Sequence, residues 1–278
     1  MMKKIIVYVC ACLLLVSCGN FTSENTRSRQ LLDSGWKFYR GEANAEQPGF
    51  DDSSWRTVDL PHDFSIEDIP GTGSPFSPDA VSGINGGFTE GGIGWYRKNI
   101  FVPSSQKDKN FELYFEGAYM NTDVWINGRH LGNHPYGYTP FVYDITDYLA
   151  YDQDNVIAVQ VKNEGNNSRW YAGSGLYRHV WLTVTNPLHI ITHGTYITTP
   201  TVTREMAEVV VETSIVNNYP SGNDVVIETV ITDDAGNRVA SIKADKKINA
   251  GNTDVFTQKT EIESPQLWSP DTPYLYNV

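Results

Sequence analysis

Arg169, Trp170 and Tyr171 stand together in SRWYAGSGLYRHVWL (168–182), ahead of Gly173 and Gly175 and a strand-like run from Tyr177 to Leu182. A guanidinium offers several donors in a fixed fork, and an indole offers a flat apolar face. On one loop they suit a small ligand with polar edges and apolar faces, such as a sugar. The same residues would also serve plain packing, or clamp a carboxylate on a neighbouring surface. Gly173 and Gly175 read as the tight return into the strand. Asp63, in LPHDFSIED (60–68), is a further candidate contact. Its other role would be to cap a turn or brace an interface.

Other chemistries find less support. Glycoside hydrolysis needs two carboxylates, one to protonate the leaving oxygen and one to attack or activate water. Asp63, Glu90, Asp123 and Glu164 lie in or near loops, but nothing in their spacing pairs any two. His189 and His193 have the i, i+4 spacing of a helical zinc site, yet LHIITHGTYI reads as a strand. Four strand residues span about 13 Å, too far to share one ion. His130 and His134 flank Gly132 and show no acidic or third histidine partner nearby. GTGS (71–74) and GGFTEGGIG (86–94) lack the lysine and following helix of a phosphate loop. Ser168 and Ser174 lack the strand–elbow–helix setting of a nucleophilic serine. No catalytic residue and no metal ligand is therefore assigned.

Those loops need a frame. The chain has 278 residues, 40% hydrophobic and 19% charged, enough for about two globular domains. A formal charge of −12 disfavours nucleic acid and electrostatic adhesion to anionic membranes. Residues 1–17 read as a signal peptide: Lys3 and Lys4, then an apolar run from Ile5 to Val16, too short to span a bilayer. LVSC at its end resembles a bacterial lipobox, which implies cleavage before Cys18 and lipid on that cysteine. Residues 18–31 then read as a polar tether. All three cysteines (Cys10, Cys12, Cys18) lie in or beside this leader, so the mature body has no disulfide, cysteine zinc site or cysteine nucleophile.

Beyond the leader the pattern is all-β. WYRKNIFV (95–102), FELYFE (111–116), TDVWI (122–126), VIAVQVK (156–162) and RHVWLTV (178–184) are rich in β-branched and aromatic residues. Trp125 and Trp181 alternate within these runs and read as core. Asn127-Gly128 is a hairpin-turn signal, and residues 145–151 make at most one helical turn. After Asn186-Pro187, strands recur at 188–198, 208–216, 224–232, 238–243 and 254–262. A β-sandwich over residues 32–187 followed by an immunoglobulin-like sandwich over 188–278 is expected. The immunoglobulin-like part reads as incomplete: five clear strands and the start of a sixth, where about seven are usual.

GWKFYRGE, FDDSSWRTVDLPHDF, GGIGWYRKNIFV, WINGRHLG, YTPFVYDIT and SRWYAGSGLYR, in this order, resemble the N-terminal domain of glycoside hydrolase family 2. The likeness runs from about Leu32 to Val184, in the manner of bacterial envelope β-galactosidases. LWSPDTPYLY closes a segment similar to the family's immunoglobulin-like domain. The resemblance implies a galactose-binding-like jelly roll, then the immunoglobulin-like domain, then a TIM barrel carrying both catalytic glutamates of a retaining β-glycosidase. A barrel takes about 250 residues, so the missing barrel of the same polypeptide is an expected partner. This chain alone should not hydrolyse a glycoside. Family barrels often use Mg²⁺ or Na⁺, but no cofactor is assigned to these residues. The resemblance also implies that the loop before Gly175-Leu176-Tyr177-Arg178 reaches toward the active site. Some relatives carry an aspartate where this chain has Arg169. Arg169, Trp170 and Asp63 are thus the candidate contacts to a β-galactoside or related glycan, while Arg178 is expected in an ion pair. The expected setting is the bacterial cell envelope, held by the lipid anchor alone. The competing reading is a stand-alone, non-catalytic glycan-binding lipoprotein.

Overall fold

A computed structural model describes residues 26–278, so the leader and Cys18 lie outside the described residues. The described chain is all-β. Its first ten strands are β1 (Arg27–Leu31), β2 (Trp36–Arg40), β3 (Arg56–Val58), β4 (Gly92–Val102), β5 (Asn110–Phe115), β6 (Thr122–Ile126), β7 (Arg129–His134), β8 (Phe141–Asp144), β9 (Gln153–Asn163) and β10 (Val180–Thr185). They form a four-stranded sheet ordered β1-β10-β5-β8 and a six-stranded sheet ordered β3-β2-β4-β9-β6-β7. The two sheets close over one core as a jelly-roll sandwich.

Period-two alternation decides which side chains meet there. β5 buries Phe111, Leu113 and Phe115, and β6 buries Thr122, Val124 and Ile126. Trp36, Phe38 and Tyr96 join them from β2 and β4. Asn127 (φ 51°) and Gly128 (φ 80°) turn β6 into β7 as the sequence predicts. Residues 145–151 contain only a 3-10 turn over Thr146–Tyr148.

Five strands were not legible as strands, and four of them (β1, β3, β7, β8) are sheet edges. An edge strand has one neighbour and tolerates polar residues, which blurs its pattern. β1 also amends the tether, because Arg27 to Leu31 pair in register with β10. The last five residues of the 18–31 segment therefore belong to the first domain's sheet.

Trp125 and Trp181 are not in the inter-sheet core. Each alternates with buried neighbours and so points to the outer face of its sheet. Trp181 donates from Nε1 to Glu116 Oε1 (2.8 Å) and lies under Arg29, whose guanidinium carbon is 4.1 Å from the ring centroid. Trp125 stacks on Trp95 at 5.4 Å. Trp95 sits in a second apolar cluster with Ala45, Trp55 and Ala158, roofed by the loop after β2.

The second domain holds β11 (Leu188–Thr198), β12 (Met206–Asn217), β13 (Asn223–Thr232), β14 (Arg238–Ile248) and β15 (Thr253–Glu263). β11-β12-β15 and β13-β14 form its two sheets, immunoglobulin-like in class. Two apolar clusters, around Val211 with Ile231 and around Ile215 with Phe256, fill it. A buried polar pair joins its strands: Thr229 Oγ1 donates to Gln258 Oε1 (2.6 Å), and Gln258 Nε2 to Ile242 O (3.1 Å). The final residues meet β13 through a bridge between Asn277 and Thr232. Thr192 Oγ1 donates to Glu112 Oε2 (2.5 Å) between the domains, and His193 packs on Tyr114 at 5.5 Å. His189 and His193 both lie on β11, as their context predicts. No helix among the described residues is long and apolar enough to cross a membrane.

Candidate functional site

The loop carrying Arg169 and Trp170 leaves β9 at Asn163 and rejoins the sandwich at Gly175. Its base is fixed before its tip is free. Asn163 Nδ2 donates to Gly173 O (3.0 Å) and Ser174 Oγ (2.7 Å). Asn167 Nδ2 donates back to Asn163 Oδ1 (2.8 Å). The Ser65 and Ser174 hydroxyls share a hydrogen bond (2.5 Å), and both residues are buried. Gly175 exchanges two backbone bonds with Tyr119 (2.9 and 3.0 Å).

Asp63 links two loops. Its Oδ1 accepts from Ser65 N (2.9 Å), capping the short 3-10 turn Phe64–Ile66, and from Ser174 N (2.8 Å). Its Oδ2 accepts from the Tyr171 hydroxyl. Burial, and then the Asp63 carboxylate, push the Tyr171 phenol far above its ordinary value, so it stays a donor at any physiological pH. Both Asp63 oxygens thus already have protein partners at the root of the loop.

Arg169 and Trp170 are different. Both are exposed, Trp170 by 60%. Trp170 Nε1 donates to the Tyr138 hydroxyl (2.9 Å), which fixes the indole by its edge. The ring borders two depressions. One, of ≈ 260 Å³, lies between this loop and residues 79–91. The other, of ≈ 470 Å³, is lined by Asn85, Tyr119, Tyr138 and Arg169. Burial raises the Tyr119 phenol, with Tyr138 and Tyr136 beside it adding to the effect.

The neighbouring 60–68 loop carries a second network. His62 Nδ1 lies 2.8 Å from the Tyr96 hydroxyl, and Nε2 lies 2.9 Å from Glu67 Oε1. Arg56 pairs with the same carboxylate. Burial raises the Glu67 carboxyl, but the bonds from Arg56 and His62 outweigh it and hold Glu67 below its ordinary value. A depressed carboxyl contributes stability that is fully present above its unfolded value and is lost as pH falls through its folded one. Glu67→Gln is therefore expected to lower stability at pH 7 by about 0.5–1 kcal/mol, the exposed pair being screened. The gap to wild type should shrink below about pH 4, near the ordinary glutamate value. Melting curves at pH 7 and pH 3.5 read both; a gap that widens on acidification contradicts the assignment.

The other sequence-named groups fall apart in space. Arg178 lies over the Tyr177 ring at 5.4 Å, exposed, rather than in an ion pair. Asp123 is held by Lys162 Nζ (2.9 Å) and His130 Nε2 (2.9 Å). His130 thus has an acidic neighbour after all, brought across the β6–β7 hairpin from seven residues away. Glu90 stands 3.7 Å from Arg40. Among the described residues no group of three or more His, Cys, Asp or Glu is placed to hold a metal ion, so no step is assigned to Mg²⁺ or Na⁺. Asn163 and Ser65, which hold the loop, carried no sequence signal, and Ser174 was weighed only as a nucleophile: each is a common polar residue whose partner only the fold reveals.

The structure is thus two β-sandwich domains, the first of which presents an exposed arginine–tryptophan edge on a braced loop. Residues 30–187 match the sugar binding domain of Glycosyl hydrolases family 2, and residues 189–278 match Glycosyl hydrolases family 2. The chain belongs to that family. It is 43% identical to a β-galactosidase of Bacteroides ovatus over 95% of its own length and 31% of the relative's. It is 31% identical to a β-glucuronidase of Formosa agariphila, over 92% and 28% respectively. A solved family 2 member from Bacteroides cellulosilyticus superposes with a TM-score of 0.84 at 48% identity, over 89% of this chain and 32% of that one. The chain thus spans about a third of the relatives it matches.

Proposed function

We propose that this chain is the front part of a retaining β-glycosidase acting on a β-galactoside or related glycan, with Arg169 and Trp170 at the edge of the substrate site. The observation that carries this is the exposed Arg169–Trp170 edge on a loop held at its root by Asp63, Ser174 and Asn163. A rigid base with a free polar–aromatic tip suits recognition of a ligand brought by another domain. The higher identity to a β-galactosidase than to a β-glucuronidase supports the galactoside choice. The two catalytic carboxylates are proposed to lie on a barrel of the same polypeptide, outside these 278 residues. Asp63, with its partners inside the domain, serves as a brace. Lipid at Cys18 would hold the enzyme at the bacterial envelope.

The native mass in source cells tests this, using an antibody against residues 32–187. A species heavier than 31.2 kDa by at least a barrel of about 250 residues, hydrolysing an aryl β-galactoside after capture, is the expected result. A single species near 31.2 kDa without hydrolysis would replace the enzyme with a stand-alone glycan-binding protein.

A further inference from the structure

The strand that receives the tether also fixes where the tether leaves the body. Arg27, the first residue of β1, pairs with Thr185, the last residue of β10, and Thr26 O accepts from Asn186 N (3.0 Å). Arg27 Nη1 reaches across to Ile190 O of the second domain (3.1 Å). The tether therefore enters at the junction of the two domains. We infer that lipid on Cys18 holds the protein with this junction end toward the bilayer and with the Arg169–Trp170 edge turned away from it. The inference rests on the lipid anchor proposed above and is independent of the glycosidase assignment.

The strands of the first domain run between two distinct ends. At the junction end Thr185 pairs with Asn110, and Ile145 N donates to Phe111 O (2.9 Å). Asn127 Nδ2 donates to Tyr148 O (2.9 Å), and Asn127 N to Val156 O (2.9 Å), near the start of β9. Both sheets are thus tied together there. At the opposite end Leu31 pairs with Trp181, and Glu116 N donates to His179 O (3.0 Å). Gly175 bonds Tyr119 at this end, and Lys162 N donates to Met120 O (2.9 Å), close to the end of β9. The loop carrying Arg169 and Trp170 continues beyond Asn163, with Trp170 bonded to Tyr138 in the connection between β7 and β8. The arginine–tryptophan edge and the tether therefore sit at opposite ends of the sandwich.

Length decides between the possible orientations. β4 and β9 pair over eleven residues each, which at about 3.3 Å per residue makes the sandwich about 33–36 Å long before the 163–175 loop is added. From Cys18 to Arg27 the chain takes nine residue steps, which reach at most about 30–32 Å when fully extended. Standing the loop end on the bilayer would make the tether run back along the whole sandwich, farther than its covalent length allows. This limit matters because the loop end has the greater intrinsic affinity for a membrane interface. Phe76, Val81, Ile84 and Trp170 are 60–81% exposed there, and such side chains favour the boundary between water and lipid. At the junction end, residues 144–154 carry four aspartates and no lysine or arginine, so this segment adds no attraction to an anionic bilayer. The anchor's position, and not surface affinity, sets the orientation. A ligand of the Arg169–Trp170 edge would then arrive from the solution side of the molecule.

Energy transfer to the bilayer tests this. The full chain is processed with its own leader in a bacterial host and reconstituted into phosphatidylcholine vesicles carrying a headgroup-linked acceptor dye. Once residues 1–17 are removed and Cys18 is lipidated, the body has no free thiol. A donor dye can then be placed on Asp108→Cys at the junction end or on Ile84→Cys at the loop end, both positions being exposed. Transfer is expected to be at least about twofold stronger from position 108 than from position 84, given a separation near the length of the sandwich. Inserting about twenty Gly/Ser residues after Glu24 should narrow that difference, because a chain of that length lets the loop end reach the bilayer. Equal or reversed transfer with the native tether overturns the inference, and so does a difference that the longer tether leaves unchanged. Flotation with the vesicles, absent from a chain lacking residues 1–18, separates the two ways of failing. A processed chain that does not float overturns the anchor and the inference together, whereas one that floats with equal transfer overturns the orientation alone. Neither result alters the native mass and hydrolysis that test the glycosidase assignment.

Discussion

Gly175→Ala is expected to destabilise the first domain by about 3 kcal/mol or more. Gly175 has φ +129°, outside the range that side-chain-bearing residues readily adopt. A Cβ there would lie 2.4 Å from the Tyr96 hydroxyl and 2.7 Å from the His62 carbonyl. Neither obstacle can retreat. Tyr96 is fully buried, and His62 N is bonded to Leu176 O (2.8 Å). The two bonds between Gly175 and Tyr119 resist a shift of the glycine itself. Gly173→Ala makes an informative contrast. Its Cβ would meet Asp63 Oδ2 at 2.6 Å with φ +75°, but a side-chain end can give way where backbone cannot, by loosening its bond from the Tyr171 hydroxyl. A loss of about 1–2 kcal/mol is expected there. At about 2–4 °C per kcal/mol for a domain of this size, thermal melts should separate the two variants. A Gly175→Ala melt within about 2 °C of wild type would show that the chain can relax at this return.

This return was legible in the sequence because Gly-x-Gly before a strand has few other uses. The Asn127-Gly128 hairpin was legible for a similar local reason: both positions need positive φ. Central strands such as β5 and β6 were equally plain, since burial on an inner face leaves an alternating apolar mark, and β9 showed as a near-continuous apolar run. What stayed hidden was relational. Nothing in LPHDF shows that Asp63 reaches Ser174, 111 residues away, or that Tyr171 spends its hydroxyl on it. Arg169 could be named as a candidate from its loop, but not that Trp170 would border two depressions, one lined by Arg169 and the other by Asp79 and Glu90. Asp79 and Asn166 carry no local mark, because single polar residues in glycine-containing loops are alike until the fold brings their loops to opposite sides of one cleft. Trp125 and Trp181 misled for a related reason. Alternation reveals that a strand has two faces, and both outer faces here carry aromatics under polar cover.

That outer cover supplies the second large effect, at Arg97. Alternation in WYRKNIFV sends Tyr96 into the core and Arg97 to the outer face, where it is nonetheless 2% exposed. Its Nε donates to Asp52 Oδ2 (2.8 Å), its Nη1 to Ala45 O and to Gln47 O (3.1 Å), and its Nη2 to Pro48 O (3.4 Å). One side chain thereby binds most of the loop that roofs Trp95 and Trp55. Arg97→Met keeps the apolar stem but removes the guanidinium donors from the Asp52 carboxylate and from the Ala45 and Pro48 carbonyls, Gln47 O keeping its bond from Phe50 N (3.1 Å). Breaking a buried pair from one side costs about 3–5 kcal/mol, and Asp52, being 29% exposed, places the expected loss at the lower end. Arg97→Lys should recover only part of it, because an ammonium cannot reproduce a planar fork. The loop should also loosen before the sandwich melts. Faster proteolysis within 41–55, with a red-shifted tryptophan emission, would report that. If the methionine variant melts like wild type with unchanged emission, the stacking of Trp55 on Tyr39 and Phe50 is sufficient to seat the loop. The guanidinium would then be compensating its own burial and contributing nothing further.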